Sequence, residues 1–395
     1  MATAKRLNGI GEYYFSQKLR EIDELNRQGR NIINLGIGSP DLPPHPDVIR
    51  VLQEESSRPD VHAYQSYKGS PILRKAMADW YAKWYGVTLD SESEVLPLIG
   101  SKEGIMHICM TYLEEGDEVL VPNPGYPTYR AAVSLAGGIC RDYLLEEQHH
   151  WMPDGNELEK AAAASGGRLK LMFVNYPHMP TGQLPTPELF GQLVAFARKH
   201  GILLVHDNPY SFILNENPMS MMAAPHAKEV VLELNSLSKS QNMAGWRVGM
   251  LVAAKERIDE VLRFKSNMDS GMFLPVQLAA AKALGLGKDW YQQLNQVYAG
   301  RRKLVFELLR YLNCEFSMQQ AGMFVWAKIP SAFRNGYEMS DAVLHRSNVF
   351  ITPGGIFGTA GDQYVRISLC ATEKKLEESI GRVRNSSLMQ TENHV

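Results

Sequence analysis

Ser236-Leu237-Ser238-Lys239 is followed, eight residues beyond the lysine, by Arg247 within Gly245-Trp246-Arg247-Val248-Gly249. A lysine amine forms an imine with a carbonyl only when it can reach the neutral state, which burial near other cations promotes. The hydroxyls of Ser236 and Ser238 and the fork of Arg247 suit a phosphate dianion, because arginine offers paired donors matched to phosphate oxygens. Taken alone, Lys239 reads as a solvated surface lysine, where most lysines sit. The sequence on either side decides between the two.

Upstream, Gly201-Ile202-Leu203-Leu204-Val205-His206-Asp207 is a short apolar run ending in an acid. That is the pattern of a buried parallel strand delivering Asp207 at its carboxyl end, where ligands sit in open α/β sheets. Asp207-Asn208-Pro209-Tyr210, with the Lys239 segment downstream, resembles the class I/II aminotransferases of fold type I, whose pattern is Asp-x-x-Tyr, then Ser-x-Ser-Lys and Gly-x-Arg-x-Gly. The resemblance implies pyridoxal 5'-phosphate as the cofactor, with Lys239 as its imine-forming lysine. In the same way it implies that Asp207 pairs with the protonated pyridine nitrogen and keeps the ring an electron sink. Tyr210 then donates to the ring hydroxyl oxygen, and Ser236, Ser238 and Arg247 hold the phosphate.

Further segments fall in the family's order. Ile99-Gly100-Ser101-Lys102-Glu103-Gly104 follows the apolar Val95-Leu96-Pro97-Leu98 and opens a helical stretch, so the amides of Ser101 and Lys102 could face a phosphate at a helix N-terminus. An ordinary serine cap is the alternative. Tyr126, in Pro122-Asn123-Pro124-Gly125-Tyr126-Pro127, falls where the family stacks a ring on the cofactor. Tyr64, in Ala63-Tyr64-Gln65-Ser66-Tyr67-Lys68-Gly69, resembles the family's Tyr-x4-Gly, whose tyrosine reaches the neighbouring subunit's phosphate, and so implies a homodimer with shared sites. Arg366, alone among apolar neighbours in Tyr364-Val365-Arg366-Ile367-Ser368, matches the clamp for the substrate α-carboxylate. An arginine there is costly to bury without an anion. Gly38, in Leu35-Gly36-Ile37-Gly38-Ser39-Pro40-Asp41, resembles the loop whose glycine backbone approaches the same carboxylate; a glycine turn without a ligand is the alternative.

One element departs from the family. In Asn175-Tyr176-Pro177-His178-Met179-Pro180-Thr181-Gly182, methionine stands where asparagine is usual before Pro-Thr-Gly. Methionine cannot donate a hydrogen bond. Either Asn175, assigned here to both cofactor and substrate, or a water replaces the missing donor, or the site is tuned differently.

Composition narrows the alternatives. The 395 residues suffice for two hydrophobic lobes. With 41 basic and 43 acidic residues the net charge is −2, which argues against a nucleic-acid partner. No run of about 18 apolar residues marks a membrane span. Met1 to Asn8 has no apolar signal core, and Cys109, Cys140, Cys314 and Cys370 have no metal or disulfide spacing, so a cytoplasmic enzyme with reduced cysteines is expected. The adjacent His149 and His150 read as a solvated loop, and no metal site is expected. There is no Gly-x-Gly-x-x-Gly after a strand, which disfavours a nicotinamide enzyme.

Phe15 to Gln28 reads as an amphipathic helix stopped by Gly29, and Ser70 and Pro71 start another that ends at Gly86. Six strand-like runs, Val95 to Leu98, Glu118 to Val121, Leu169 to Val174, Ile202 to His206, Val230 to Leu234 and Val248 to Val252, alternate with helices. This predicts an α/β domain with a mostly parallel sheet covered by helices, and the resemblance implies seven strands. Lys288 to Leu312 reads as a long helix, followed by strands near Phe324 to Ala327 and Gln363 to Ser368 and a closing helix from Glu373, an α+β lobe. Asn385 to Val395 reads as a fraying end. The family's division then gives a large domain at 46–285 and a small one from 1–45 and 286–395.

The expected activity is amino transfer between an L-amino acid and a 2-oxo acid, 2-oxoglutarate above all, by a ping-pong mechanism. The alternatives are a carbon-sulfur β-lyase, disfavoured by Asp207-Asn208-Pro209-Tyr210-Ser211, and a non-catalytic regulatory protein, disfavoured by the presence of Lys239. The N-terminal arm, Glu12-Tyr13-Tyr14-Phe15 through Pro43, is similar to that of the LL-diaminopimelate and alanine aminotransferase branch.

Overall fold

The computed structural model describes residues 3–7 and 14–386. Glu12 and Tyr13 of the arm and the tail beyond Ser386 lie outside the described residues. Short strand β1 (Ile33–Asn34) precedes the seven strands of the main sheet: β2 (Val95–Leu98), β3 (Glu118–Asn123), β4 (Ile139–Leu144), β5 (Leu169–Asn175), β6 (Leu203–Asp207), β7 (Val231–Ser236) and β8 (Gly249–Val252). Their order across the sheet is β2-β8-β7-β6-β5-β3-β4. Only β8 is reversed, running antiparallel to both neighbours, while the other pairings are parallel.

Local signals explain the helices that cover this sheet. Helix Pro71–Tyr85 begins where the Ser70 side chain accepts from the Leu73 amide, has proline in its first turn, and ends at left-handed Gly86. Pro187–His200 repeats the device with Thr186 and Gly201, and the chain then enters β6 directly. Both faces of the sheet are buried. Leu171 and Phe173 pack with Val205 and Leu234 against helices Ser101–Tyr112 and Lys255–Lys265, whereas Met172 and Val174 pack with Leu204 toward Pro71–Tyr85 and Pro187–His200. Two-sided burial is why these strands are continuous apolar runs.

β4 is the strand that the apolar runs do not reveal. It lies at the sheet edge, with Ile139, Arg141, Asp142 and Leu144 exposed or partly so, and reads as a polar segment. Arg141 there binds the buried Glu118 carboxylate.

A separate hydrophobic cluster joins Ile33 and Leu35 to Tyr298, Val325, Val365, Leu376 and their neighbours. The 24-residue helix Lys288–Tyr311 and helix Glu373–Asn385 pack on a sheet of β9 (Phe324–Lys328), β11 (Thr352–Pro353) and β12 (Tyr364–Ser368), in the order β11-β12-β9. β10 (Val349–Phe350) pairs with β1, so the N-terminal segment is stitched into the C-terminal lobe. Among the described residues no helix is long and apolar enough to cross a membrane.

Candidate active site

The parallel strands of the main sheet deliver polar side chains to one edge: Asn175 ends β5, Asp207 ends β6 and Ser236 ends β7, and Asn175 and Asp207 are in register. After β2, helix Ser101–Tyr112 starts at the same edge. Above that edge is a cavity of about 400 Å³ lined by Gly38, Ser101, Lys102, Tyr126, Asn175, Asp207, Tyr210, Ser236, Ser238, Lys239, Arg247 and Arg366. These are the residues that the sequence singled out, except Gly100 and Tyr64.

Lys239 Nζ donates to the Gly38 carbonyl at 2.7 Å. Burial pulls its pKa below the ordinary lysine value, and the Arg366 and Arg247 cations act in the same sense against Cys370 and Asp207. A lysine so placed reaches its neutral, nucleophilic form more readily than a surface one.

Asp207 is buried, and one carboxylate oxygen, Oδ2, accepts from the Tyr129 hydroxyl at 2.8 Å. The other, Oδ1, has no hydrogen-bond partner among the described residues. Burial raises this carboxyl to about 6, tempered by Tyr129, His206 and Lys239. A buried acceptor without a donor is costly. A protonated ring nitrogen is the donor that would satisfy it.

The opposite end of the cavity has the parts of an anion cradle. Gly100 caps helix Ser101–Tyr112 without any side-chain bond to the leading amides. Its φ is +82°, and a Cβ there would fall onto the Arg247 guanidinium. Arg247, itself at φ +57°, a strained value for a side-chain-bearing residue, reaches Ser238 Oγ at 3.4 Å and the Ala244 carbonyl at 2.8 Å. Ser236 Oγ accepts from the Ser238 amide, which leaves its own proton to donate. Helix amides, two hydroxyls and a guanidinium fit a phosphate.

Arg366 is buried on β12, paired in register with Trp326 and Thr352. It donates to the Gly36 carbonyl at 2.8 Å and lies 3.3 Å from the Met179 sulfur. The rings of Phe324 and Phe357 flank its guanidinium at 3.8 and 4.6 Å. Flanking rings hold a cation in place without consuming its in-plane donors.

Asn175 turns out to be tied into the backbone. Its amide donates to the Asp207 carbonyl at 2.7 Å and its oxygen accepts from the Met179 amide at 2.8 Å. It fixes the turn that carries Met179, with one amide hydrogen left over. Tyr64 is 92% exposed and does not line the cavity.

Sequence reasoning did not single out Tyr129, Phe324 or Phe357. Tyr129 had a local signal: it lies three residues after Tyr126 at the start of helix Pro127–Leu135, a spacing that puts both rings on one side, edge to face at 5.6 Å. The phenylalanines reach the site from distant segments and had none.

An imine-competent lysine, an acid poised for a ring nitrogen and a phosphate cradle on a mostly parallel sheet define a fold type I pyridoxal-phosphate enzyme. The profile of the aminotransferase class I and II family matches residues 30–383, and the chain belongs to that family. It is 39% identical over 390 residues to the LL-diaminopimelate aminotransferase of Halothermothrix orenii, covering 98% of this chain and 99% of the relative. It is 40% identical over 383 residues to that of Desulforudis audaxviator, with 96% and 97% covered. Substrate-bound BacF from Bacillus subtilis superposes with a TM-score of 0.91 at 34% identity over 97% of both chains. A probable N-succinyldiaminopimelate aminotransferase from Thermus thermophilus gives 0.83 at 32% identity, covering 93% of this chain and 99% of that one. The chain is a pyridoxal-phosphate-dependent aminotransferase, whose substrates are amino and 2-oxo acids.

Proposed function

We propose that this chain moves the amino group of an L-amino acid to a 2-oxo acid, 2-oxoglutarate foremost, by a ping-pong cycle in which the first product leaves before the second substrate enters. The observation that carries the reading is that a single cavity is lined by Lys239, Asp207 and Arg366. Bound pyridoxal phosphate supplies the electron sink. Asp207 would engage its ring nitrogen, with Tyr129 fixing the carboxylate, Tyr210 would donate to its ring oxygen and Tyr126 would pack beside it. Ser101, Lys102, Ser236, Ser238 and Arg247 hold its phosphate, and Gly100 makes room for Arg247. Arg366 grips the substrate α-carboxylate beside Gly38 and the Asn175 turn. Lys239 Nζ, a base of lowered pKa, would take the proton from the substrate α-carbon and hold it for return.

The reading extends to a homodimer. Arg247 and Lys102 are exposed at the cavity rim, and Tyr64 projects into solvent on a segment that also exposes Tyr67. A second copy placing its Tyr64 over that rim would close the cradle. A core that gathers Ile33 and Leu35 with Tyr298, Val325, Val365 and Leu376, apart from the cores on the two faces of the main sheet, supports domains at 46–285 and at 1–45 with 286–395. Four free cysteines suit a reducing cytoplasm.

The deciding experiment is a panel of amino donors against 2-oxoglutarate, with LL-diaminopimelate, named for the relatives' activity, first. Parallel initial-rate lines and a single-turnover half-reaction with donor alone are expected. Release of pyruvate and ammonia from cystathionine without any oxo acid would establish the β-lyase instead.

A further inference from the structure

His206 immediately precedes Asp207 on β6, so the two side chains lie on opposite faces of the sheet. The ring is completely buried. Its Nδ1 lies 2.7 Å from Glu233 Oε2 on β7, and its Nε2 lies 3.0 Å from the Tyr176 carbonyl just beyond β5. A carbonyl oxygen can only accept. The Glu233 carboxylate accepts as well: Tyr81 and Ser220 donate to Oε1 at 2.8 and 2.7 Å, and the Met221 amide donates to Oε2 at 2.8 Å. Three donors around one carboxylate, before the imidazole is counted, are the environment of its ionised form. Burial pushes the Glu233 pKa up, yet the His206 charge and these donors more than offset it and leave it below the ordinary value. A neutral imidazole has one N–H and cannot serve both acceptors.

We infer that His206 is a buried imidazolium that acts as a positioning residue for Asp207, its positive charge behind the sheet holding that carboxylate ionised toward the cavity. On its own face the ring meets Glu233, Phe190, edge-on at 5.0 Å from helix Pro187–His200, and the Tyr176 carbonyl, while the Asp207 side chain lies on the other face of the sheet. Tyr81 and Tyr85 face Glu233 rather than the imidazole. His206 is therefore the cation between two buried carboxylates on neighbouring strands. Its bond to Tyr176 also pins the turn that begins at Asn175, so one ring braces both polar strand ends. The Coulomb effect of His206 on Asp207 acts in the required sense.

The inference rests on the proposed role of Asp207 only for its consequence, and the test separates the two. Full-length chain carrying ¹⁵N-histidine and ¹³C-carboxyl aspartate is followed by NMR, with assignments from His206→Gln and Asp207→Asn. His206 should show two N–H groups, one to each acceptor. In His206→Gln the Asp207 carboxyl should bind its proton roughly tenfold more tightly, a midpoint about one pH unit higher. A singly protonated His206 at pH 7, or an Asp207 midpoint unmoved in folded His206→Gln, overturns the inference. If that variant does not fold, the wild-type histidine spectrum alone decides the charge. The protonation of ¹⁵N-labelled pyridoxal phosphate on the wild-type chain is read independently: a neutral ring nitrogen would overturn the assigned role of Asp207 and leave the His206 result standing.

Discussion

Replacing Gly100 with alanine should damage the phosphate end of the site while sparing the rest. Two costs can be read from the backbone and its neighbour. At φ +82° and ψ +150°, a region open essentially to glycine, a side chain costs about 1–3 kcal/mol, which lowers the stability of the whole chain. The same Cβ collides with the Arg247 guanidinium, which must leave the cradle or rotate away from it. A charge-assisted hydrogen bond is worth about 1.5–3 kcal/mol. Loss of one such bond to the phosphate should then weaken pyridoxal phosphate by about 10- to 150-fold, at about 1.4 kcal/mol per decade. Pyridoxal, which lacks the phosphate, should bind the variant and the parent alike. Titration of cofactor-free protein with each compound, followed by absorbance, measures the ratio directly. Gly116→Ala is the control, because Gly116 has φ +91° with nothing near its would-be Cβ. It should lose stability and keep its affinity for the cofactor. Equal losses for pyridoxal and pyridoxal phosphate, or an unchanged ratio in folded Gly100→Ala, would refute the placement of Arg247 on the phosphate.

Asp207 should leave a pH signature in the cofactor-free chain. Its carboxyl is raised by burial from 3.8 to about 6, so its share of stability is full below about 4 and lost as the pH rises through 6; the gap corresponds to about 3 kcal/mol, measured as the difference in urea stability from Asp207→Asn across that window. A flat difference would mean that Asp207 is already satisfied without a ligand. Met179→Asn should lower the pKa of the bound cofactor's visible band by about one unit and tighten substrate carboxylates, because Asn175 is committed to the Asp207 carbonyl and the Met179 amide. An unmoved band in a spectrophotometric titration would show that the remaining Asn175 hydrogen or a water already donates there. Borohydride reduction should fix the cofactor on Lys239, and peptide mapping that finds it on another lysine would remove the assignment. Mixing inactive Tyr64→Ala and Lys239→Ala chains after dissociation should restore activity, since one site per heterodimer escapes both lesions; exchange without recovery would place both residues in one chain.

Much of this was legible in the chain itself because the signals are local. The apolar run into Asp207, the Ser-x-Ser-Lys segment and the proline and serine starts of helices each specify a conformation within a few residues. Parallel strands buried on both faces must be apolar throughout, so the sheet's core strands announce themselves. β4 did not, because an edge strand needs to bury little and Arg141 and Asp142 sit comfortably in solvent. The resemblance implied that the N-terminal segment joins the C-terminal lobe, but the pairing of Ile33 with Val349 that stitches the two together required the fold.

What only the tertiary structure decided are contacts between residues far apart in sequence. Lys239 meets Gly38 across 201 residues, and Tyr129 meets Asp207 across 78. The Phe324 and Phe357 rings reach Arg366 through β9 and the turn before β12, and His206 reaches Glu233 through strand pairing. Sequence periodicity tells which face of a strand a residue occupies, but not which partner lies across from it. The sequence by itself determined which groups could do chemistry. The fold decided which of their polar atoms were consumed by neighbours, as with Asn175, and which, as with Asp207 Oδ1, have no partner among the described residues.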